Sequence, residues 1–345
     1  MNATDPITSD PPSDRLGRMP RDLRLSVTDR CNFRCTYCMP KELFGNEHPF
    51  LPKSDILTFE ELHRLAAIFT RLGVQKIRLT GGEPLLRRDL PTLVSMLSGL
   101  PGLQDIALTT NGSALVQLAQ PLRQAGLNRL TVSLDALDDS IFRAMNDVDF
   151  PVHRVLTGLD AALEAGFGPI KINMVVKRGV NEDQILPMVQ HFRSKPFVLR
   201  FIEFMDVGST NGWRMDDVVP SSEVLQKISA VHPVQPLAAN KLGEVARRFR
   251  LVDGSLELGF ISSVTQPFCT HCTRARISAE GQLYTCLFAT AGHDIRALLR
   301  SGISDDAIAN TLRSLWMSRE DRYSEHRSEN TASPSRKVEM SHIGG

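Results

Sequence analysis

The stretch Leu23-Arg-Leu-Ser-Val-Thr-Asp-Arg-Cys31-Asn-Phe-Arg-Cys35-Thr-Tyr-Cys38 decides how the rest of the chain is read. Its first half alternates apolar and polar residues, the pattern of a strand with two different faces. Its second half carries three cysteines at the point where such a strand would end. Working outward, strand patterns recur at Lys76–Gly81, Asp105–Asn111, Arg129–Asp135, Ile170–Val176 and Leu199–Met205. Helical patterns lie between them at Thr58–Gly73, Asp89–Leu100, Val116–Ala125, Val152–Ala165 and Asp183–Ser194. The first is the clearest. Leu62, Leu65, Ala66, Phe69 and Leu72 share a face, Thr58 and Glu61 have capping-box spacing, and Gly73 is placed to stop the helix. Strand–helix repeats of this kind imply parallel strands joined by right-handed crossovers.

Strands covered by helices on both faces usually read as unbroken apolar runs. Here Leu23, Leu25 and Val27 alternate with Arg24, Ser26 and Thr28, and four later strands repeat the scheme. The expected fold is therefore α/β: a partial (β/α)6 TIM-type barrel, with a smaller C-terminal α+β region carrying a second cysteine set. One strand face would meet the helices. The other would line a lumen with Arg24, Arg78, Thr109, Ser133 and Lys171, where barrel interiors ordinarily hold Val, Ile and Leu. Such a lumen is wet and cationic and suits a polyphosphate or another polyanion. A polar face that simply meets solvent is the alternative.

Along the chain, residues 1–18 read as a disordered leader, 19–211 as the barrel, 212–316 as the smaller region and 317–345 as an extended tail ending in Gly344-Gly345. The stretch 240–255 has no clear reading. In 345 residues the net charge is +1, so no global field draws in nucleic acid. The first residues lack the basic and apolar runs of a signal peptide, and no apolar run approaches a membrane span. A cytoplasmic protein is expected, in which clustered thiols stay reduced.

All six cysteines fall into two sets: Cys31, Cys35 and Cys38, then Cys269, Cys272 and Cys286. Three thiolates are one too few to close a tetrahedral metal site or a cubic iron–sulfur cluster. Two incomplete sets point to two clusters, each with an open position. Zinc, completed by a distant His or Asp, stays open as an alternative at either set, more so at Cys269-Thr-His-Cys272. His271, between two cysteines, reads as a surface residue.

The C-x3-C-x2-C spacing resembles the radical S-adenosylmethionine (SAM) superfamily. That resemblance implies a [4Fe–4S] cluster on Cys31, Cys35 and Cys38 whose free iron binds SAM. It also implies that Tyr37 lies beside the adenine, that Gly82 within Gly81-Gly82-Glu83-Pro84 helps hold the methionine amino group, and that Ser133 and Met205 touch SAM. The second cysteine set, followed by Arg274-Ala275-Arg276, is similar to the GTP 3′,8-cyclase family of molybdenum cofactor biosynthesis. This likeness implies a second [4Fe–4S] cluster on Cys269, Cys272 and Cys286 whose open iron contacts guanine. It places Arg274, Ala275 and Arg276 along GTP, together with Arg24, Arg78, Thr109 and Lys171. It gives catalytic roles to Arg274 and Arg276 and to Gly344 and Gly345, whose tail enters the active site. A frayed end and a ubiquitin-like thiocarboxylate are other readings of that Gly-Gly. The implied reaction is radical SAM cyclisation of GTP to (8S)-3′,8-cyclo-7,8-dihydroguanosine 5′-triphosphate. Implied partners are a low-potential electron donor such as flavodoxin or ferredoxin and a downstream cyclic pyranopterin monophosphate synthase. A homodimer is left open, and neither nucleic acid nor membrane is expected to bind.

Overall fold

The computed structural model describes residues 10–45, 47–240, 243–327 and 337–344. Six parallel strands form its centre: β1 (Asp22–Ser26), β2 (Lys76–Thr80), β3 (Asp105–Thr110), β4 (Arg129–Ser133), β5 (Ile170–Val176) and β6 (Phe197–Glu203). The helices between them are α1 (Phe59–Arg71), α2 (Leu90–Ser98), α3 (Leu115–Gln124), α4 (Asp139–Asn146), α5 (Val152–Glu164) and α6 (Ile185–Phe192). The short α4 was not anticipated. Its start is fixed by Asp138, whose carboxylate accepts from the amides of Ser140 and Ile141.

The alternation seen in the sequence becomes the two faces of the sheet. Leu23, Leu25, Ile77, Leu79, Val132, Ile172 and Met174 are all fully buried in one apolar core with the helices. The opposite face carries the polar set, and there Arg78 Nη1 donates to Thr109 Oγ1 at 2.9 Å and to Thr131 Oγ1 at 3.2 Å.

The C-terminal region does not form a separate sheet. Its strands are β7 (Val234–Leu237), β8 (Arg247–Leu251), β9 (Glu257–Ile261), β10 (Arg274–Ile277), β11 (Gln282–Tyr284) and β12 (His293–Asp294). They extend both edges of the barrel sheet, in the order β12-β11-β10-β1-β2-β3-β4-β5-β6-β9-β8-β7. β10 runs parallel to β1 with Arg24 opposite Arg276, and β9 runs parallel to β6. The remaining helices are α7 (Ser221–Ser229), α8 (Ile295–Arg300), α9 (Asp305–Met317), α10 (Tyr323–His326) and α11 (Met340–Ile343).

Two expectations need correction. The expected disordered leader is packed over residues 11–18, because Asp14 is buried against Arg18 and Arg319. The expected extended tail contains α10 and α11 and buries Arg319 and Lys337. Both were obscured because their polar side chains are buried in partnership rather than exposed. Residues 1–9 lie outside the described residues.

α1 starts as its sequence requires. Thr58 Oγ1 accepts from the Glu61 amide at 3.2 Å, and the Glu61 carboxylate accepts from the Thr58 amide at 2.8 Å. Thr58→Ala should cost about 1 kcal/mol, read as a lower urea midpoint with an unchanged slope and unchanged iron content.

Candidate functional site

The two cysteine sets sit at opposite ends of the strand wall. Cys31 follows the C-terminal end of β1, whereas Cys272 precedes β10, whose Arg274 pairs with Asp22 at the start of β1. A parallel strand rises about 3.3 Å per residue, so the wall from Asp22 to Val27 is roughly 16 Å long.

Along that wall stand Arg24, Arg78, Lys171, Arg274 and Arg276, all anticipated, and Arg200 on β6, which was not. Burial, with Arg276, Arg274 and Arg78 as neighbours, drives the Arg24 guanidinium well below its ordinary value. Burial also lowers Arg200 to about 9 and Arg276 to about 9, aided by Arg78 and Arg274 respectively. Lys171 falls to about 7 through burial and the charges of Arg200, Lys76, Arg78 and Arg129. Arg200 Nε donates to Asn173 Oδ1 at 2.9 Å, and a side chain at Gly259 would collide with its stem. At the entrance of the strands, Asp105 pairs with Lys76 at 3.4 Å and with Arg129 at 3.1 Å. Asp22 and Asp105 at that entrance offset the lumen charge only in part, since Arg24 and Arg78 stay lowered despite them. Ala275 differs from its expected role: its methyl packs in the helix-side core opposite Leu23, so only its backbone reaches the lumen.

The N-terminal cysteine loop is fastened to its neighbours by backbone. Gly82 N donates to Thr28 O at 2.9 Å and Glu83 N to Arg30 O at 2.8 Å. A Cβ at Gly81 or Gly82 would strike the backbone of that loop, so the approach requires glycine. Buried Glu83 accepts from Leu85 N, Thr110 Oγ1 and Asn111 N, binding the ends of β2 and β3 together. Burial raises it to about 7 despite those bonds. Tyr37 OH donates to Asp135 Oδ2 at 2.6 Å, which sets the ring beside the end of β4. Ser133 and Met205 are half-buried at or just beyond the ends of β4 and β6. All these groups therefore share one end of the barrel.

The donor chemistry fits iron–sulfur clusters. All six thiols are free. Burial pushes Cys31 and Cys38 up to about 12 and Cys286 up to about 11, so ionisation there is favoured only once a positively charged metal centre is bound. Burial opposes ionisation at Cys272 too, but Arg274 and Arg319 bring it down to about 6. The amides of Phe33 and Phe288 donate to Cys31 Sγ and Cys286 Sγ, at 3.4 and 3.5 Å; such bonds to sulfur tune clusters. Among the described residues, no three His, Cys, Asp or Glu side chains gather as a single metal ion would require. His271 is exposed.

The C-terminal segment enters from the Cys38 end. Lys337 Nζ meets Asp206 Oδ2 at 2.8 Å in a buried pair, and Glu339 Oε1 accepts from the Ser209 amide at 3.0 Å. His342 Nε2 lies 2.9 Å from Glu280 Oε1. The Gly344 carbonyl accepts from Arg276 Nη1, and a Cβ at Gly344 would overlap the Thr80 side chain. Gly345 lies outside the described residues.

Comparison with known proteins agrees with this geometry. The chain is 53% identical to the GTP 3′,8-cyclase of Acidothermus cellulolyticus, spanning 97% of this chain and 99% of that one. The chain belongs to the GTP 3′,8-cyclase family. It is 49% identical to the enzyme of the same name from Staphylococcus saprophyticus, over 96% of this chain and 98% of that one. The Radical SAM superfamily sequence model matches residues 25–192, and the Molybdenum Cofactor Synthesis C model matches residues 197–325. Among solved structures, SuiB of Streptococcus suis bound to S-adenosylmethionine shares the fold. Its TM-score is 0.56 at 15% identity, covering 90% of this chain and 67% of that one.

Beyond the anticipated set, the structure places Arg200 on the same polar strand face, Asp135 against Tyr37 and Lys337 against Asp206. Arg200 was legible in principle, since it alternates with Leu199 and Phe201.

Lys171 offers a test with the sign fixed in advance. Its value of about 7 leaves it largely neutral at pH 8, and an adjacent polyanion raises that value, so binding takes up a proton. Affinity for inorganic triphosphate, measured by calorimetry, should therefore be highest below pH 7. It should fall as pH rises through 7 and 8, approaching about tenfold per pH unit, the slope of one linked proton. Lys171→Met should remove that part of the slope.

Proposed function

We propose that this chain cyclises GTP to (8S)-3′,8-cyclo-7,8-dihydroguanosine 5′-triphosphate in the lumen between its two cysteine sets, as the first step of molybdenum cofactor biosynthesis. The observation that supports this reading best is a buried lumen crowded with cations, with a three-thiol set at either end. Cys31, Cys35 and Cys38 would hold one [4Fe–4S] cluster, and Cys269, Cys272 and Cys286 the other. When bound, the N-terminal cluster and SAM supply the 5′-deoxyadenosyl radical that takes hydrogen from C3′ of the ribose, before C3′ bonds to C8 of guanine.

The protein's part is to bind, orient and exclude water. Arg24, Arg78, Lys171 and Arg200 carry the charge that holds the triphosphate, and Thr109 fixes Arg78 from behind. Tyr37, Gly82, Ser133 and Met205 line the end of the barrel assigned to SAM. Arg274 and Arg276 lie on the β10 wall, with Arg274 over the Phe268 ring at 5.1 Å from its centroid. Both guanidiniums are placed to orient the nucleotide and stabilise charge on it, while Ala275 contributes backbone. Gly344 supplies a tail position without a side chain where Thr80 leaves no room for a Cβ, its carbonyl held by Arg276. The catalytic role given to Gly344 and Gly345 together belongs to this reading.

In this reading, residues 19–211 are the SAM-binding barrel and 212–316 the part that seats the second cluster. A low-potential flavodoxin or ferredoxin supplies electrons, and a cyclic pyranopterin monophosphate synthase consumes the product. The chain works in the cytoplasm, and a homodimer is compatible with it. No helix among the described residues is long and apolar enough to cross a membrane.

Anaerobic incubation with GTP, SAM and dithionite should yield 5′-deoxyadenosine and the cyclised nucleotide, detected by mass spectrometry. If neither forms with both clusters present, the proposal fails. Arg78→Ala should weaken GTP binding about ten- to a hundredfold, the scale of lost charge-assisted hydrogen bonds. SAM cleavage should persist in that variant; loss of cluster iron would instead mark Arg78 as structural.

A further inference from the structure

The mechanism leaves unused a buried ionic network at the Cys272 end, built from residues far apart in the chain. Asp14 Oδ2 pairs with Arg18 Nε at 2.6 Å and with Arg319 Nη1 at 3.3 Å, and all three residues are at most 6% exposed. Further hydrogen bonds of the same two guanidiniums end on the second cysteine set. Arg18 Nη1 donates to Cys269 O at 2.8 Å, and Arg319 Nη1 donates to Cys272 O at 2.8 Å. Arg319 Nε also meets Asp321 Oδ2 at 3.2 Å, and the same oxygen accepts from Thr285 Oγ1 at 2.6 Å. Thr285 is the residue before Cys286. Each cysteine of the set is thus gripped at its own carbonyl or at its chain neighbour.

Two further observations separate this arrangement from ordinary packing. Arg18 Nη2 is buried and has no hydrogen-bond acceptor among the described residues. A buried cationic N–H left without a partner is costly, and sulfur of a bound cluster is an acceptor of the right kind for it. Trp316 stiffens the assembly: its Nε1 donates to Arg18 O at 2.8 Å, and its ring lies 4.7 Å from the Arg319 guanidinium.

We propose that Arg18 and Arg319, locked by Asp14, form a cationic clamp that seats the C-terminal iron–sulfur cluster and raises its reduction potential. The physical reason is Coulombic. Reduction adds negative charge to the cluster, and a fixed guanidinium beside its cysteines favours the reduced form. These are positioning residues, because they act through the cysteine backbone and the local field. The inference rests on assigning a cluster to Cys269, Cys272 and Cys286.

The test uses the full chain, reconstituted anaerobically, as wild type, Arg319→Gln, Arg319→Lys and Arg18→Gln. Iron and sulfide are counted, chelator-driven iron release is timed, and both clusters are titrated by EPR. A Cys269→Ser chain assigns the signals, and the N-terminal cluster is the internal reference. In Arg319→Gln the C-terminal cluster should become at least tenfold harder to reduce, about 59 mV for a one-electron couple, with the N-terminal cluster unmoved. Arg319→Lys keeps the charge and should restore most of that shift. Arg18→Gln should speed iron release from the C-terminal cluster at least tenfold. If wild type holds iron at the first set alone, the cluster assignment itself fails. If both clusters are present and the glutamine variants leave potential and release unchanged, or move both clusters equally, the clamp is overturned.

Discussion

Six cations crowd one space, and the carboxylates that act on them, Asp22 and Asp105 at the strand entrance among them, offset that charge only in part. Each is lifted out of water at a cost, and each raises the cost of the next, which is why burial and like charge together depress Arg24, Lys171, Arg200 and Arg276. A sheet can hold such a set only if something else fixes the strands. Here the opposite face does so, with Leu23, Leu25, Ile77, Leu79, Ile172 and Met174 fully buried under the helices. The Asp105–Lys76 and Asp105–Arg129 pairs close the charge at the strand entrance. The strain of unpaired charge is left at one place, where a polyanion relieves it. The free protein is therefore electrostatically incomplete by design of its sequence, and the ligand that completes it must carry several negative charges.

How much of this could be read from the sequence follows from the range of each interaction. Arg24, Arg78, Thr109 and Lys171 were legible because a strand displays its two faces at period 2, and alternation over a few residues is a local signal. Arg200 obeys the same rule between Leu199 and Phe201, but the apolar Ile202 that follows breaks the alternation, so this strand did not display two clean faces. Asp14, Arg18 and Arg319 could not be found this way. The segment rich in Asp, Ser and Pro that holds Asp14 has the composition of a mobile leader, and it is ordered by a partner 305 positions away. The register of β10 against β1 and of β9 against β6 is equally non-local. Resemblance to a family supplied what physics did not: that the Arg274-Ala275-Arg276 strand would lie against the lumen at all.

The tail poses a different question, since its placement depends on charge more than on apolar burial. Lys337 and Glu339 each meet the loop after β6, and Lys337 also lies 4.6 Å from the centroid of the Tyr323 ring. These contacts aim α11 into the lumen, where Gly344 meets Arg276. Arg276 thus has two calls on it. Its guanidinium serves the tail carbonyl in the structure described here, and its position opposite Arg24 also makes it part of the wall that faces a nucleotide. A neutral carbonyl compensates a buried cation only weakly, whereas a phosphate or purine oxygen carrying charge does so more strongly. On the proposed function, substrate entry and tail position are therefore coupled through one side chain.

That coupling explains why the two cysteine sets sit at opposite ends of the strand wall rather than side by side. On the proposed function, chemistry at the Cys31 end needs the sugar to be held still, and the Cys272 end presents the base to a second centre. A rigid wall roughly 16 Å long, with cations between its ends, fixes both ends of one extended ligand at once. Misplacement at either end is transmitted to the other through that ligand, so the backbone of each cysteine loop must be held independently. The Gly81-Gly82 approach does this at one end by bringing backbone against backbone. At the other end the Asp14–Arg18–Arg319 network does it with charge-assisted bonds to cysteine carbonyls. The two solutions differ because the first loop continues directly from a core strand, whereas the second precedes a short strand near the sheet edge and has no comparable framework of its own.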